Sequence, residues 1–322
     1  MSQKKPFIAI HTDLSPDSIF GMRMLATKYR FHHCVVGEGD VNAKCWRTSK
    51  YIEMLNEEGF DVGDPWIVKG KGSDVIYEGE GREFRNYELP REEFNNHTLF
   101  MEAFNDFVDQ HDGNHDLTIA IMKPPHELLK HGIEISPYMQ KIKVYMHFEV
   151  NVRMAIRDCD DDKKNYIAKT FTDVIQSCSS LHVHDFVRAT LDVRNGIRGI
   201  NLKKLYFDKS VKSDYIYALL KSIFFKNDHL LKTVYKNART EKAIMRVETL
   251  KSNIDFIIDP WNIITCLLCL NDEKFLPHAK NVDFVLNGEG KFSYNRNKDS
   301  PVHLYEYIPF ANVLKELETI FV

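Results

Sequence analysis

The chain has 322 residues, 43% of them hydrophobic and 28% charged, with a formal net charge of −3. That length can bury a large core, and the composition excludes a disordered or fibrous chain. The small net charge provides no global field for nucleic acid or an anionic membrane, and no stretch reaches the roughly 18 uncharged residues that span a bilayer.

Lys4 and Lys5 precede the apolar run Phe7-Ile8-Ala9-Ile10, which His11 and Asp13 interrupt before it attains signal-peptide length. The run predicts a buried strand. Ser15-Pro16-Asp17-Ser18 then predicts a helix start, with Ser15 as N-cap, Pro16 at the first helical position and Asp17 in the first turn. Ile19, Met22, Leu25, Ala26 and Tyr29 follow at helical spacing. A second unit repeats the order: strand Cys34-Val35-Val36, turn Gly37 to Gly39, and an amphipathic helix from Val41 to Glu58 ended by Gly59. Trp66-Ile67-Val68 is a third strand. The glycine-bearing polar stretch from Gly70 to Asn96 reads as a long surface loop. Leu99, Phe100, Ala103, Phe104, Phe107 and Val108 mark the next helix, and Leu117 to Ile121 and Ile142 to Met146 are further strands.

The second half is less regular. His182-Val183-His184 alternates as a strand and reads as a surface one, because two imidazoles without a third ligand do not define a metal site. Residues 201–252 read as mainly helical, and acidic residues interrupt their lysines and arginines, so a solvated face is expected and not a nucleic-acid surface. Phe256-Ile257-Ile258 reads as a buried strand leading into Asp259-Pro260 and the apolar helix from Trp261 to Leu270. That helix carries Cys266 and Cys269, a CxxC with no second ligand pair, which reads as core. The other four cysteines are scattered. Free thiols suit a reducing compartment, and a cytoplasmic location is expected. Val302 to Ile308 and Phe310 to Phe321 predict a closing strand and helix. Alternation of strands and helices throughout implies one α/β domain over 1–322, a mostly parallel central sheet flanked by helices.

Several carboxylates fall where predicted strands stop: Asp13 and Asp17 after the first, Asp40 after the second, Asp259 after the late one. In open α/β sheets, ligands collect outside the carboxyl ends of the strands. Carboxylates gathered there can bind a hard cation, hydrogen-bond sugar hydroxyls or activate water. Each also has an ordinary reading, since Asp17 suits a helix N-terminus and Asp259 a helix cap.

The segment His11-Thr12-Asp13-Leu14-Ser15-Pro16-Asp17-Ser18 resembles the N-terminal DTDxGxDD motif of nucleoside hydrolases. Gly37-Glu38-Gly39-Asp40-Val41-Asn42 is similar to their second-strand "GN" turn, Met122-Lys123-Pro124-Pro125-His126-Glu127 to their "GPLTN" segment, and Ile258-Asp259-Pro260-Trp261 to their late "HDPL" motif. The resemblance runs in order over nearly the whole chain. It implies hydrolysis of the N-glycosidic bond of a nucleoside, with a calcium ion holding ribose hydroxyls and the attacking water. By position it makes Asp13 the metal-bound general base. Asp259, Ser18 and the backbone carbonyl of Met122 take metal-ligand positions. Asp17, Asp40, Glu149 and Asn151 take ribose-binding positions, the last two from a faint match of Glu149-Val150-Asn151 to the family's "EFN". The partner implied is a small nucleoside or ribosyl ligand, and relatives of this fold often form homo-oligomers.

Four departures weigh against catalysis. His11 replaces an aspartate and adds potential positive charge, Ser18 replaces a ligating carboxylate, Ile258 replaces a histidine, and His126-Glu127 replaces "TN". Calcium takes six to eight oxygens, and anionic ones set much of its affinity, so the site is expected to be weakened. His126, His182, His184 and the aromatic residues of the second half are candidates for protonating the leaving group. Two readings follow: a non-catalytic ribosyl-binding or interaction protein, and an active N-ribohydrolase in which Asp13 activates water.

Overall fold

The computed structural model describes residues 5–72, 93–95, 97–110, 117–147, 160–174, 177–184, 200–201, 257–258, 261–286, 292–306, 308 and 316. The predicted helical region 201–252 and closing helix Phe310 to Phe321 lie almost wholly outside these residues, as does most of the Gly70 to Asn96 stretch.

Each of the first βα units forms as expected. Strand β1 (Phe7–Thr12) leads through Asp13 to Ser15 into helix α1 (Pro16–Ala26), and β2 (Arg30–Val36) leads into α2 (Val41–Glu57). After these come β3 (Trp66–Lys69), β4 (His97–Thr98), α3 (Phe100–Asp109) and β5 (Leu117–Met122). Two short helices, α4 (His126–Lys130) and α5 (Gly132–Met139), precede β6 (Ile142–His147), α6 (Asp161–Val174) and β7 (Ser180–His184). Helix α7 (Trp261–Phe275) is followed by β10 (Lys280–Leu286), β11 (Phe292–Arg296) and β12 (Val302–Tyr305). Short strands β8 (Ile200–Asn201) and β9 (Ile257–Ile258) stand apart.

The main sheet has ten strands in the order β11-β10-β12-β7-β6-β5-β1-β2-β3-β4. From β12 to β4 every neighbouring pair is parallel, and only β10 runs the other way. Helices on both faces explain the continuous apolar runs of the central strands, which are buried on both sides. Ile8 and Ile10 face a core layer with α1, α2 and α7, whereas Ala9 and Val35 face a second layer with α3, α5 and α6.

Three expectations are corrected. Ile257–Ile258 does not join the main sheet; it pairs antiparallel with Ile200–Asn201 in a separate ladder. His182 and His184 are not on a surface strand, being 2% and 0% exposed inside the sheet. His182 stacks on Tyr145 and hydrogen-bonds the Tyr305 hydroxyl, while His184 meets Thr265 Oγ1 at 2.9 Å. The last strand ends at Tyr305 and not at Ile308. The β10–β11 hairpin at the sheet edge was not anticipated, although Asn287-Gly288 between its two runs is a hairpin signal. Among the described residues no helix is long and apolar enough to cross a membrane.

Helix α7 packs against α1 and crosses the central strands. The seam needs Gly21, because a Cβ there would lie 2.5 Å from Cys266 Sγ. Cys266 and Cys269 are 0% and 2% exposed, so the CxxC is core as expected.

Candidate functional site

Thr12, the last residue of β1, pairs with Val36 of β2 and Met122 of β5. The next residues, Asp13, Gly37 and Lys123, therefore leave three adjacent strands at one mouth of the sheet. Two polar groupings form there, on opposite faces.

On the face of α1 and α7, Asp13 Oδ1 accepts three hydrogen bonds: from the Ser15 amide (3.0 Å), the Ser15 hydroxyl (2.7 Å) and the Ser18 hydroxyl (2.6 Å). Ser15 occupies the N-cap position of α1, but its side chain does not cap the helix. Its oxygen also lies 2.6 Å from Asp17 Oδ1. One hydroxyl hydrogen cannot serve both carboxylates, so the second contact requires a carboxyl proton. Burial, reinforced by the charge of Asp13, raises the Asp17 pKa to about 7. The consistent proton count has Asp17 in its acid form donating to Ser15, and Ser15 donating to Asp13. Asn262, in the first turn of α7, completes the group: its amide N–H reaches Asp17 Oδ2 at 3.2 Å and its side-chain nitrogen reaches Ser18 Oγ at 2.8 Å. The turn is held with Leu14 at φ 52°, a left-handed conformation that costs a non-glycine residue about 1–2 kcal/mol.

On the face of α3 and α4, Lys123 is 1% exposed, and its ammonium lies 2.5 Å from Glu127 Oε2. It passes so close to Gly37 that a Cβ there would stand 3.0 Å from Lys123 Nζ. Burial alone would raise the Glu127 pKa, yet the Lys123 charge and hydrogen bonds hold it down to about 2. Glu38, also left-handed at φ 64°, faces His126 at 3.4 Å. Despite its burial, His126, Lys123 and Lys44 keep the Glu38 carboxyl below its ordinary range. His11 lies on this same face, packed edge-on to Phe100 and fully buried, with neither ring nitrogen hydrogen-bonded in the protein. Burial, with help from Lys123, lowers its pKa to about 3. The expected positive charge at His11 is therefore not present near neutrality: a desolvated imidazole beside an ammonium stays neutral.

The sequence candidates divide accordingly. Asp13, Asp17 and Ser18 meet in one turn. Asp40 is exposed and caps α2, accepting from the Ala43 amide at 3.0 Å. Met122 is buried at the end of β5, with its sulfur 3.4 Å from Cys266 Sγ. Glu149, Asn151 and Asp259 lie outside the described residues, although Asn262 shows that the start of α7 reaches the Asp17 turn. His182 and His184 are enclosed in the sheet, which leaves His126 as the one of these three candidate histidines that lines a cleft at the mouth. The Lys123–Glu127 pair, Glu38 and Asn262 were not anticipated. The available signal was a lysine ending the apolar run of β5, four residues before a glutamate.

The described donors do not fit the calcium ion implied by the resemblance. They supply two carboxylates, one oxygen of which already accepts three hydrogen bonds, and Ser18 donates where a ligating carboxylate is needed. Among the described residues no group of three or more histidine, cysteine or acidic side chains is arranged to hold a metal.

These features define a mostly parallel α/β fold with helices on both faces, and that fold matches solved structures of nucleoside hydrolases. An inosine-guanosine nucleoside hydrolase superposes with a TM-score of 0.62 at 11% identity, and a plant nucleoside hydrolase with a TM-score of 0.62 at 12% identity; each match covers 98% of both chains. No protein-family model and no curated protein sequence matches the chain. At such identities the likeness is one of fold, and function has to be argued from the site.

Proposed function

We propose that this chain is a ribosyl-ligand-binding protein on a nucleoside hydrolase-like fold, with hydrolysis impaired and no dependence on calcium. The observation that carries the reading is that Ser18, standing where a ligating carboxylate is needed, instead donates with Ser15 to Asp13 Oδ1. Three donors on one oxygen make a carboxylate a weaker base, and a metal-bound base also needs anionic neighbours on the ion. Here a hydroxyl replaces the neighbouring ligand and donates to that same oxygen. What remains is an array of hydroxyl, amide and carboxyl groups able to exchange hydrogen bonds with vicinal sugar hydroxyls.

The test is a panel of ribonucleosides with and without calcium, read by calorimetry for binding and by free ribose for turnover, beside Asp13→Ala. Expected is binding without ribose release above the Asp13→Ala background. Ribose release that disappears in Asp13→Ala would overturn the proposal in favour of an active N-ribohydrolase with Asp13 as base. Ser18→Asp restores the missing carboxylate on the correct face and is expected to create measurable calcium affinity. His11→Asp is not part of that repair, because His11 faces α3.

A further inference from the structure

A cleft of about 1250 Å³ opens at the same mouth, between the turns that follow β2, β3 and β5 and helices α3, α4 and α6. Part of its wall is apolar and accessible: Leu99 is 65% exposed and Tyr166 46%, with Phe100 and Ile167 beside them. Among its described lining residues are four lysines, Lys69, Lys71, Lys130 and Lys163, against two acids, Asp40 and Glu127. This excess of positive charge occurs in a chain whose net charge is −3.

Partnering sharpens the imbalance. Asp40 is engaged in capping α2, and Glu127 is neutralised by Lys123 while its other oxygen accepts the Lys71 amide at 2.7 Å. Lys69 pairs with Glu93 and Lys163 with Asp160, and the lining histidines face acids, His126 with Glu38 and His131 with Glu134. Lys71 and Lys130 have no acidic partner among the described residues. Lys71 is also anchored through its main chain, since its carbonyl accepts the Glu38 amide at 2.9 Å and its own amide is held by Glu127. The pinned main chain fixes the point from which this cation reaches an anion, so only side-chain freedom is lost when they meet.

We propose that this cleft takes a phosphorylated ribosyl ligand, a nucleotide and not a nucleoside. Lys71 and Lys130 meet the phosphate, and the Leu99, Phe100 and Tyr166 wall meets the base. A lysine ammonium recognises phosphate as a point charge, and an apolar wall with an aromatic edge suits a planar heterocycle. Asp13, Asp17, Ser18 and Asn262 do not line the cleft. The sugar rests on the ribosyl reading above, whereas the phosphate and the base rest on the charge and the apolar wall of the cleft alone.

Calorimetry with adenosine, adenosine monophosphate and inorganic phosphate, on the full chain and on Lys71→Ala/Lys130→Ala, tests this. Charge-assisted contacts of this kind predict that the monophosphate binds about 10-fold or more tightly than adenosine. That advantage is expected to disappear in the double variant and to shrink in high salt; both lysines are exposed, so the variant keeps its fold. Equal affinity for adenosine and its monophosphate overturns the inference and leaves the ribosyl reading standing. An advantage that survives in the double variant places the phosphate elsewhere and also overturns it. Inorganic phosphate binding as well as the monophosphate removes the role of the apolar wall, and binding of none of the three removes both readings.

Discussion

The two faces of the mouth solve the problem of burying charge in opposite ways. On the α1 and α7 face, Asp13 and Asp17 are accommodated by hydroxyls, two backbone amides and a retained proton, with no cation in the group among the described residues. On the α3 and α4 face, Glu127 and Glu38 are accommodated by Lys123 and His126, so both signs are present. Carboxylates without a counter-ion must hold a proton or a strong set of donors, and they stay responsive to pH and to ligand hydroxyls. An ion pair of 0% and 10% side-chain exposure is a rigid element that leaves little capacity for a further ligand. The first face is the candidate binding chemistry, and the second supports the turn from which Lys71 projects.

Breaking the ion pair gives the largest expected effect. Lys123→Met leaves Glu127 charged and buried, and loss of one partner of such a pair costs about 3–5 kcal/mol. The check is denaturant unfolding, in which Lys123→Met/Glu127→Met is expected to recover most of the loss. A single variant within about 1 kcal/mol of the parent would show that water, and not Lys123, satisfies Glu127.

The two faces also respond to pH in opposite directions. His11 has a folded pKa of about 3 against an ordinary 6.5, so the unfolded chain binds the extra proton between those values. Stability from this group is complete above pH 6.5 and is lost as pH falls toward 3, by an amount on the order of 5 kcal/mol. Asp17 has its pKa raised from 3.8 to about 7, so its contribution is complete below pH 3.8 and is lost as pH rises through 7. His11→Phe is expected to flatten the acidic limb of a stability profile and Asp17→Asn the neutral limb. Profiles unchanged by either variant would remove the contrast between the faces.

Smaller effects probe the supports. Gly21→Ala forces the α1–α7 seam apart at Cys266, and overpacking of this kind costs about 1–3 kcal/mol. Cys266→Ala in the same chain is expected to restore part of it, read as a melting temperature. Asp40→Ala removes the α2 cap for about 1 kcal/mol, while Asp40→Asn keeps it. Adenosine affinity unchanged in Asp40→Asn is expected; a large loss with normal stability would return Asp40 to the ribose-contact role its position suggested.

Much of this was legible along the chain. Short apolar runs alternating with amphipathic segments gave β1, α1, β2, α2, β5 and β6 to within a few residues, because strands buried on both sides must be apolar throughout. Asp13, Asp17 and Ser18 are within six residues of one another, so a single turn brings them together and their grouping is a local property. Asn262 is remote in sequence, and only the packing of α7 on α1 delivers it to Asp17. Strand β9 looked like a sheet strand since an apolar dipeptide does not encode its partner.

The sequence by itself determined the α/β class, the order of the first units and the acidic turn, because hydrophobic period and local capping are written in neighbouring residues. Tertiary structure decided the face that His11 occupies, the burial of Lys123 and the state of Asp17. Each of those depends on desolvation and on charges brought in from other strands, and neither quantity exists until the sheet has assembled.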